Sequence, residues 1–221
     1  MLKVFQQKFI GTIPMIKKGL IISVIIMLLI GYQTMEPTYV LDHQDLYLKQ
    51  GFIKKKIINN VVDFKYTTLC GMETLIVIEA KEKNQMMDEL IYGNWIRFYV
   101  IKNNNLSLIY ENDFTPVVPW AIDAGDMDGD GENEIYIGAY RETDYYEIDK
   151  RPFFFEWDGE ILSKKWTGSY LSLNQLITLS FSDINGDGIE EIKALERLVT
   201  GGFETNYYQW VTFGFSKLQI Y

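Results

Sequence analysis

The chain has 221 residues, 48% of them apolar, which is enough for one substantial domain with a real core. Its 30 acidic side chains outnumber the 21 basic ones, and this net charge of −9 argues against nucleic acid as a partner. A single cysteine, Cys70, excludes an intrachain disulfide, and 15% aromatic residues lean the composition toward β-structure.

Lys3, Lys8, Lys17 and Lys18 fall within residues 1–18, where no acid occurs, and from Gly19 to Met35 there is no charge at all. Seventeen residues at about 1.5 Å each reach roughly 25 Å, the short edge of a bilayer span. Lysines before the run and Glu36, Asp42 and Asp45 after it place residues 1–18 in the cytoplasm and the rest outside. Residues 19–35 are therefore expected to be an apolar helix. An uncleaved anchor is favoured over a cleaved signal peptide, because no alanine precedes Ala80 and Gly31-Tyr-Gln-Thr makes a poor cleavage site. The alternative is a secreted chain.

Residues 36–60 read as a linker or cap, with Lys54-Lys55-Lys56 as a solvated turn. Beyond residue 18, 17 basic residues face 30 acidic ones, a net charge of −13 that suits cation binding.

Residues 61–221 divide into three units of four strands. Unit one is expected at Val61–Tyr66, Leu75–Ala80, Ile96–Lys102 and Leu106–Tyr110, with a turn at Asn103-Asn-Asn105. Unit two is expected at Trp120–Ala124, Glu134–Tyr140, Pro152–Trp157 and Glu160–Trp166, with Asp158-Gly159 as a two-residue hairpin. Unit three is expected at Leu176–Ser182, Glu191–Leu198, Tyr207–Phe215 and Lys217–Tyr221.

Between the first two strands of units two and three the same spacing occurs. Residues 126–134 read Asp-Met-Asp-Gly-Asp-Gly-Glu-Asn-Glu, and residues 183–191 read Asp-Ile-Asn-Gly-Asp-Gly-Ile-Glu-Glu, 57 residues later. Short carboxylates at alternate positions, with glycines that let the backbone curl, suit a hard cation wanting six to eight oxygens at about 2.3–2.6 Å. Asp126, Asp128, Asp130 and Glu134 would ligate through side chains and Glu132 through its carbonyl. Asp183, Asn185, Asp187 and Glu191 would do the same, with the carbonyl of Ile189. Both are read as calcium (Ca2+) loops.

An EF-hand or a dockerin needs an acid at position twelve, and here that position holds Ile137 or Ala194. With the last acid at position nine and a strand directly after, the pattern resembles the FG-GAP/VCBS repeat of β-propellers, including the calcium loops of integrin α-subunits. Ile137-Gly138-Ala139-Tyr140 resembles that family's Gly-Ala-Pro. Unit one departs from the pattern. Aligning Gly71 with Gly131 puts Tyr66, Thr68 and Cys70 where acids belong and Thr74 in place of the glutamate, so unit one is degenerate and no calcium site is expected there.

The expected fold is thus all-β, a propeller-like array of about three four-stranded antiparallel units after the N-terminal helix. Closed propellers use four to eight blades. Three units would pair as a homodimer, form an arc capped by residues 36–60, or be propeller-like only in their units. The resemblance implies a membrane-anchored extracytoplasmic calcium-binding module for a protein or glycan ligand, in adhesion. The alternative is an accessory subunit that completes a propeller. Aromatics near turns, Trp120, Trp157, Trp166, Tyr145, Tyr146, Tyr207 and Tyr208, would supply a recognition surface or else fill strand-face core positions, with the core favoured for Trp120 and Trp210 and exposure expected for Tyr145-Tyr146. No enzyme is expected: His43 stands alone outside the repeats, and Glu147, Asp149, Glu156 and Asp158 are candidate acids by composition only.

Overall fold

The computed structural model describes residues 36–87, 90–102, 105–141, 149–167 and 170–219. The segments read as cytoplasmic stretch and anchor, 1–18 and 19–35, lie outside the described residues, as do Asn103, Asn104, Tyr145, Tyr146 and Glu147. Among the described residues there is no α-helix, so the fold is all-β.

Two compact parts are present. The smaller one has 36–40 and 48–55 as its described residues, and the larger comprises 41–47 and everything from residue 56 onward. Three strands precede the repeats: β1 (Thr38–Asp42), β2 (Asp45–Gln50) and β3 (Ile53–Ile58). Lys54-Lys55-Lys56 is exposed strand in β3 rather than a turn. Within the larger part, the turn at Gln44 is pinned by its carbonyl accepting from Val61 N–H at 2.8 Å and its side-chain oxygen accepting from Asn84 N–H at 2.5 Å.

The first repeat sheet runs β4 (Val61–Leu69), β5 (Met72–Glu79), β8 (Trp95–Lys102) and β9 (Asn105–Asp113). A small hairpin of β6 (Met86–Met87) and β7 (Leu90–Ile91) is inserted before β8. A 3-10 turn at Thr115–Val117 leads to the second sheet: β10 (Pro119–Gly125), β11 (Glu134–Arg141), β12 (Asp149–Trp157) and β13 (Leu162–Thr167). The third sheet holds β14 (Gln175–Ser182), β15 (Glu191–Arg197), β16 (Phe203–Val211) and β17 (Gly214–Lys217). Every pairing in these three sheets is antiparallel, in chain order.

The first strand of each sheet carries a β-bulge at the same place, skipping Val62, Trp120 and Ile177. A bulge adds one unpaired residue and increases the local twist, so its recurrence marks a structural repeat independent of the acidic loops. Counting from the bulge sets Thr67, Gly125 and Ser182 level, facing Thr74, Glu134 and Glu191 across the ladder. The sequence alignment of Thr74 with Glu134 agrees with this register, but Tyr66 does not stand at Asp126. In the first sheet the ladder continues to Leu69 and Met72, and Cys70-Gly71 closes it with positive φ at both residues (48° and 72°). That is the backbone of a tight two-residue hairpin, so Tyr66 and Thr68 are strand residues and the long loop is gone.

Two other turns correct the expectations. Asp158 accepts from the N–H groups of Glu160 (2.9 Å) and Ile161 (2.7 Å), which opens the hairpin after Trp157 to four residues. The run Tyr207–Phe215 is not one strand. It breaks at Thr212-Phe213, where Thr212 sits at φ 56°, so a strand runs Gly214–Lys217; of the expected Lys217–Tyr221, Leu218 and Gln219 are not strand, and residues 220–221 lie outside the described residues.

The second sheet is covered on both faces, which is why β11 is buried almost without interruption. Ile135, Ile137, Ala139, Phe153 and Phe155 pack with Ile76, Ile78, Ile96 and Phe98 of the first sheet. The alternate positions, Tyr136 and Phe154, pack with Phe181, Ile192, Ala194 and Tyr208 of the third. Period-two alternation sends successive side chains to opposite faces, so a strand apolar at every position needs partners on both sides. The third sheet is one-sided: Ile192, Ala194 and Glu196 are buried while Lys193 and Arg197 are exposed.

Strand β10 lies beside both β4 and β14, and carboxylates fasten these neighbours. Asp63 accepts from Ile122 N–H at 2.9 Å, and Asp123 accepts from Phe181 N–H at 3.0 Å. Lys65 bridges to Asp123 at 2.5 Å. Burial pushes the Asp63 carboxyl up to about 6, more than the N–H groups of Ile122 and Phe64 pull it down. The folded state therefore holds this proton more tightly than the unfolded chain, whose ordinary value is about 3.9. Its contribution is most favourable below about pH 4 and is lost as pH rises through about 6. Solvent at the part-buried carboxylate reduces the effect, leaving about 2 kcal/mol. Urea unfolding at pH 4 and pH 7 is expected to show the wild-type-minus-Asp63→Asn difference falling by that amount. A difference that is flat across this range would contradict the burial argument.

Candidate metal centre

Residues 126–133 connect β10 to β11 and residues 183–190 connect β14 to β15. Their internal hydrogen bonds correspond position by position. At position one, Asp126 accepts from the N–H groups of Gly129 (2.7 Å) and Gly131 (2.9 Å), and Asp183 from those of Gly186 (2.7 Å) and Gly188 (3.0 Å). At position three, Asp128 accepts from Asp130 N–H at 3.3 Å and Asn185 from Asp187 N–H at 2.8 Å. At position five, Asp130 and Asp187 accept from the N–H groups of Glu132 and Ile189, both at 2.8 Å. At position nine, Glu134 and Glu191 accept from Met127 (2.9 Å) and Ile184 (3.0 Å). The glycines at positions four and six all have φ between 78° and 89°, the left-handed region open to a residue without Cβ.

This wrapping points the carboxylates inward. Oxygens of Asp126, Asp128 and Asp130 lie within 4.8 Å of one another. Among the described residues a second such group joins Asp128 and Glu134 to Glu156. The side chains of Glu132 and Ile189 turn away from the loops' centres, as residues ligating through their carbonyls would. Glu132 accepts from Cys70 N–H at 3.0 Å, and the end of Ile189 lies so close to Gly129 that a Cβ there would stand 2.8 Å from it. An all-oxygen donor set of carboxylates, one amide and carbonyls fits a hard divalent cation such as calcium.

Each loop also reaches back to the preceding sheet. Asn133 donates to Thr67 Oγ1 at 2.9 Å and to the Thr68 carbonyl at 3.0 Å. Glu190 donates its N–H to the Asp126 carbonyl at 2.7 Å and accepts from Asp126 N–H at 3.1 Å. Burial raises the Glu190 carboxyl, with the Asp126 N–H pulling the other way. The loops are therefore clamps between neighbouring sheets as well as turns.

Lys165 on β13 has no place in the sequence pattern, yet its side chain is only 8% exposed and its ammonium sits inside the first loop's acids. It donates to Asp128 Oδ2 at 2.5 Å and Glu134 Oε1 at 2.7 Å, and pairs with Glu156 at 2.9 Å. Burial works against its charge, but these three carboxylates outweigh that and hold it above the ordinary lysine range. Burial raises the Glu134 carboxyl, with Lys165 and the Met127 N–H pulling it down.

With this geometry in view, the comparison with family models is specific. Residues 118–148, which contain β10, the first loop and β11, match the family described as FG-GAP repeat. This stretch is similar to an FG-GAP repeat. A comparison with curated proteins returns no match to the chain. Inside the matched stretch, the glycine of Ile137-Gly138-Ala139-Tyr140 has a packing reason. A Cβ at Gly138 would stand 2.6 Å from Tyr136 Oη and 2.7 Å from Trp120 Cε2. The missing side chain lets Trp120 stack on Tyr140 at 5.7 Å, with Lys150 Nζ 4.0 Å over the indole.

Several expected surface residues are not on the surface. Trp157 is buried against Phe98 and Tyr110, and Tyr208 is buried and bonded to Glu196. Trp166 packs on Phe154 and Phe215, while Tyr207 is half-buried. Strand alternation places Trp157, Trp166 and Tyr208 on covered faces, with Tyr207 on the opposite face of β16 from Tyr208. Among the carboxylates weighed for catalysis, Asp149 is buried, Asp158 holds a turn and Glu156 pairs with Lys165. His43 is exposed and bonded to Asp42 at 2.7 Å.

Proposed function

We propose that the chain is a membrane-anchored, extracytoplasmic, β-propeller-like binding module whose two loops hold calcium and whose ligand is a protein or a carbohydrate. The observation that carries the calcium reading is the matched inward wrapping of the two loops, one of them inside the FG-GAP repeat. Asp126, Asp128, Asp130 and Glu134, with the Glu132 carbonyl, would hold one ion. Asp183, Asn185, Asp187 and Glu191, with the Ile189 carbonyl, would hold the other. The ion supplies charge neutralisation of the acids and a fixed turn, and its role is structural rather than catalytic. Extracytoplasmic placement rests on the lysines before residue 19 and the acids that follow residue 35.

A self-contained module is favoured over a ring closed by a second copy. The outward face of β15 offers Lys193 and Arg197 on either side of half-buried Leu195, where a further sheet would need continuous apolar surface.

Extracellular calcium sites have dissociation constants of about 0.1–1 mM. At about 1 mM free calcium a ~0.1 mM site stabilises the fold by about 1.4 kcal/mol. Calcium should therefore raise the melting temperature of the wild-type chain by several degrees per site. In Asp128→Ala/Asp187→Ala that rise is expected to vanish. Differential scanning calorimetry with calcium and with EGTA measures it, and a double mutant that still responds to calcium refutes the assignment.

A further inference from the structure

We infer that Lys165 is a resident competitor of calcium in the first loop, so that the second loop fills first and the first only at higher calcium. This rests on the calcium reading above and adds an order to it.

The two loops differ in the group that bridges their ligating side chains. In the first, positions three and nine, Asp128 and Glu134, are bridged by the Lys165 ammonium at 2.5 and 2.7 Å. In the second, the amide of Asn185 bridges Asp187 at 2.9 Å and Glu191 at 2.8 Å. The amide belongs to the ligand set, and turning it exchanges its NH2 for its oxygen while it stays in place. The ammonium belongs to another strand, carries charge, and shares two of the oxygens that the ion needs. Two cations cannot share those oxygens at contact distance, because their repulsion in a partly buried site is large. Calcium entry thus requires the ammonium to leave.

Glu156 provides the place it leaves to. This third carboxylate pairs with Lys165 at 2.9 Å, and its side chain is 54% exposed where that of Glu134 is 3% exposed. By letting go of Asp128 and Glu134 while keeping Glu156, the ammonium moves toward solvent without losing every partner. Trp210, whose ring centroid lies 5.7 Å from Nζ, flanks the same position. Without calcium the ammonium neutralises part of the first loop's charge, so that loop stays wrapped at calcium levels that leave it unfilled.

The test is calorimetric titration of the full chain in detergent with calcium chloride. Wild type is expected to show two steps. Asp128→Ala should keep only the tighter step and Asp187→Ala only the weaker, and the reverse order overturns the inference without needing any lysine variant. In the Asp187→Ala background, Lys165→Met should tighten the remaining site about tenfold or more, since a competing charge has been removed. Lys165→Arg, which keeps the charge, should not. An unchanged or weakened site in Lys165→Met makes Lys165 a structural ion pair only. The second loop's own titration in the Lys165→Met single variant reports whether that variant is folded. If wild type binds no calcium at either loop, the calcium reading itself fails, an outcome distinct from binding that ignores Lys165.

Discussion

Phe154→Ala is expected to lower the unfolding free energy by about 3–5 kcal/mol, a large share of the stability of a typical domain. Phe154 is fully buried on β12. Its ring meets Phe215 at 4.9 Å, Tyr136 at 5.7 Å, Trp166 at 5.8 Å and Phe181 at 6.0 Å, drawing on strands of both the second and the third sheet. Removing it leaves a cavity that rigid rings on both sides cannot fill by rotating, so the upper part of the range applies. The third sheet has one covered face and depends on this contact more than the second sheet does. Urea unfolding followed by tryptophan fluorescence measures the loss, with Trp166 as a local reporter. Phe213→Ala, at a side chain 86% exposed, should change stability by no more than about 0.5 kcal/mol. Equal shifts in the two variants would mean that the second and third sheets are not held together by this ring.

That contrast also separates what could be read from the chain from what could not. Strands β10, β11, β14 and β15 were legible because each pair is tied to an acidic loop, and a glycine-spaced turn fixes where one strand ends and the next begins. The similarity to the FG-GAP repeat was legible for the same reason, since Asp126 to Glu134 and the strand after it are contiguous. The turn at Thr212-Phe213 was not, because neither residue is a turn former and the left-handed backbone of Thr212 is imposed by the pairing of Val211 with Gly214. Trp157 and Tyr208 were misplaced for a different reason. Proximity to a turn says nothing about which face of a sheet a ring occupies, and that is settled by the neighbouring sheet. Lys165 was invisible altogether. It lies 31 residues beyond Glu134, in a Ser-Lys-Lys-Trp stretch that reads as ordinary exposed strand, and only the return of β13 alongside β12 brings it to the first loop.

Glu196→Ala is expected to destabilise the chain by about 4 kcal/mol, although no motif includes this residue. Glu196 is 1% exposed on the covered face of β15. It accepts from Asn206 Nδ2 at 2.6 Å, Ser172 Oγ at 2.8 Å, Tyr208 Oη at 3.0 Å and Asn174 Nδ2 at 3.4 Å. An apolar substitution leaves buried Asn206 and Tyr208 without this acceptor, at about 1–3 kcal/mol each, and part-buried Ser172 and Asn174 at less. Glu196→Gln keeps the volume but turns one acceptor into a donor that faces other donors, so about half the loss should remain. The carboxylate also ties Ser172 and Asn174, just before β14, to β16, which fixes where the third sheet begins. A double-mutant cycle of Glu196→Ala with Tyr208→Phe, read by urea unfolding, should give a coupling of about 1–2 kcal/mol. Additive losses would mean that Tyr208 is held by packing against Ile192 and Phe181, and that the carboxylate serves only the two residues ahead of β14.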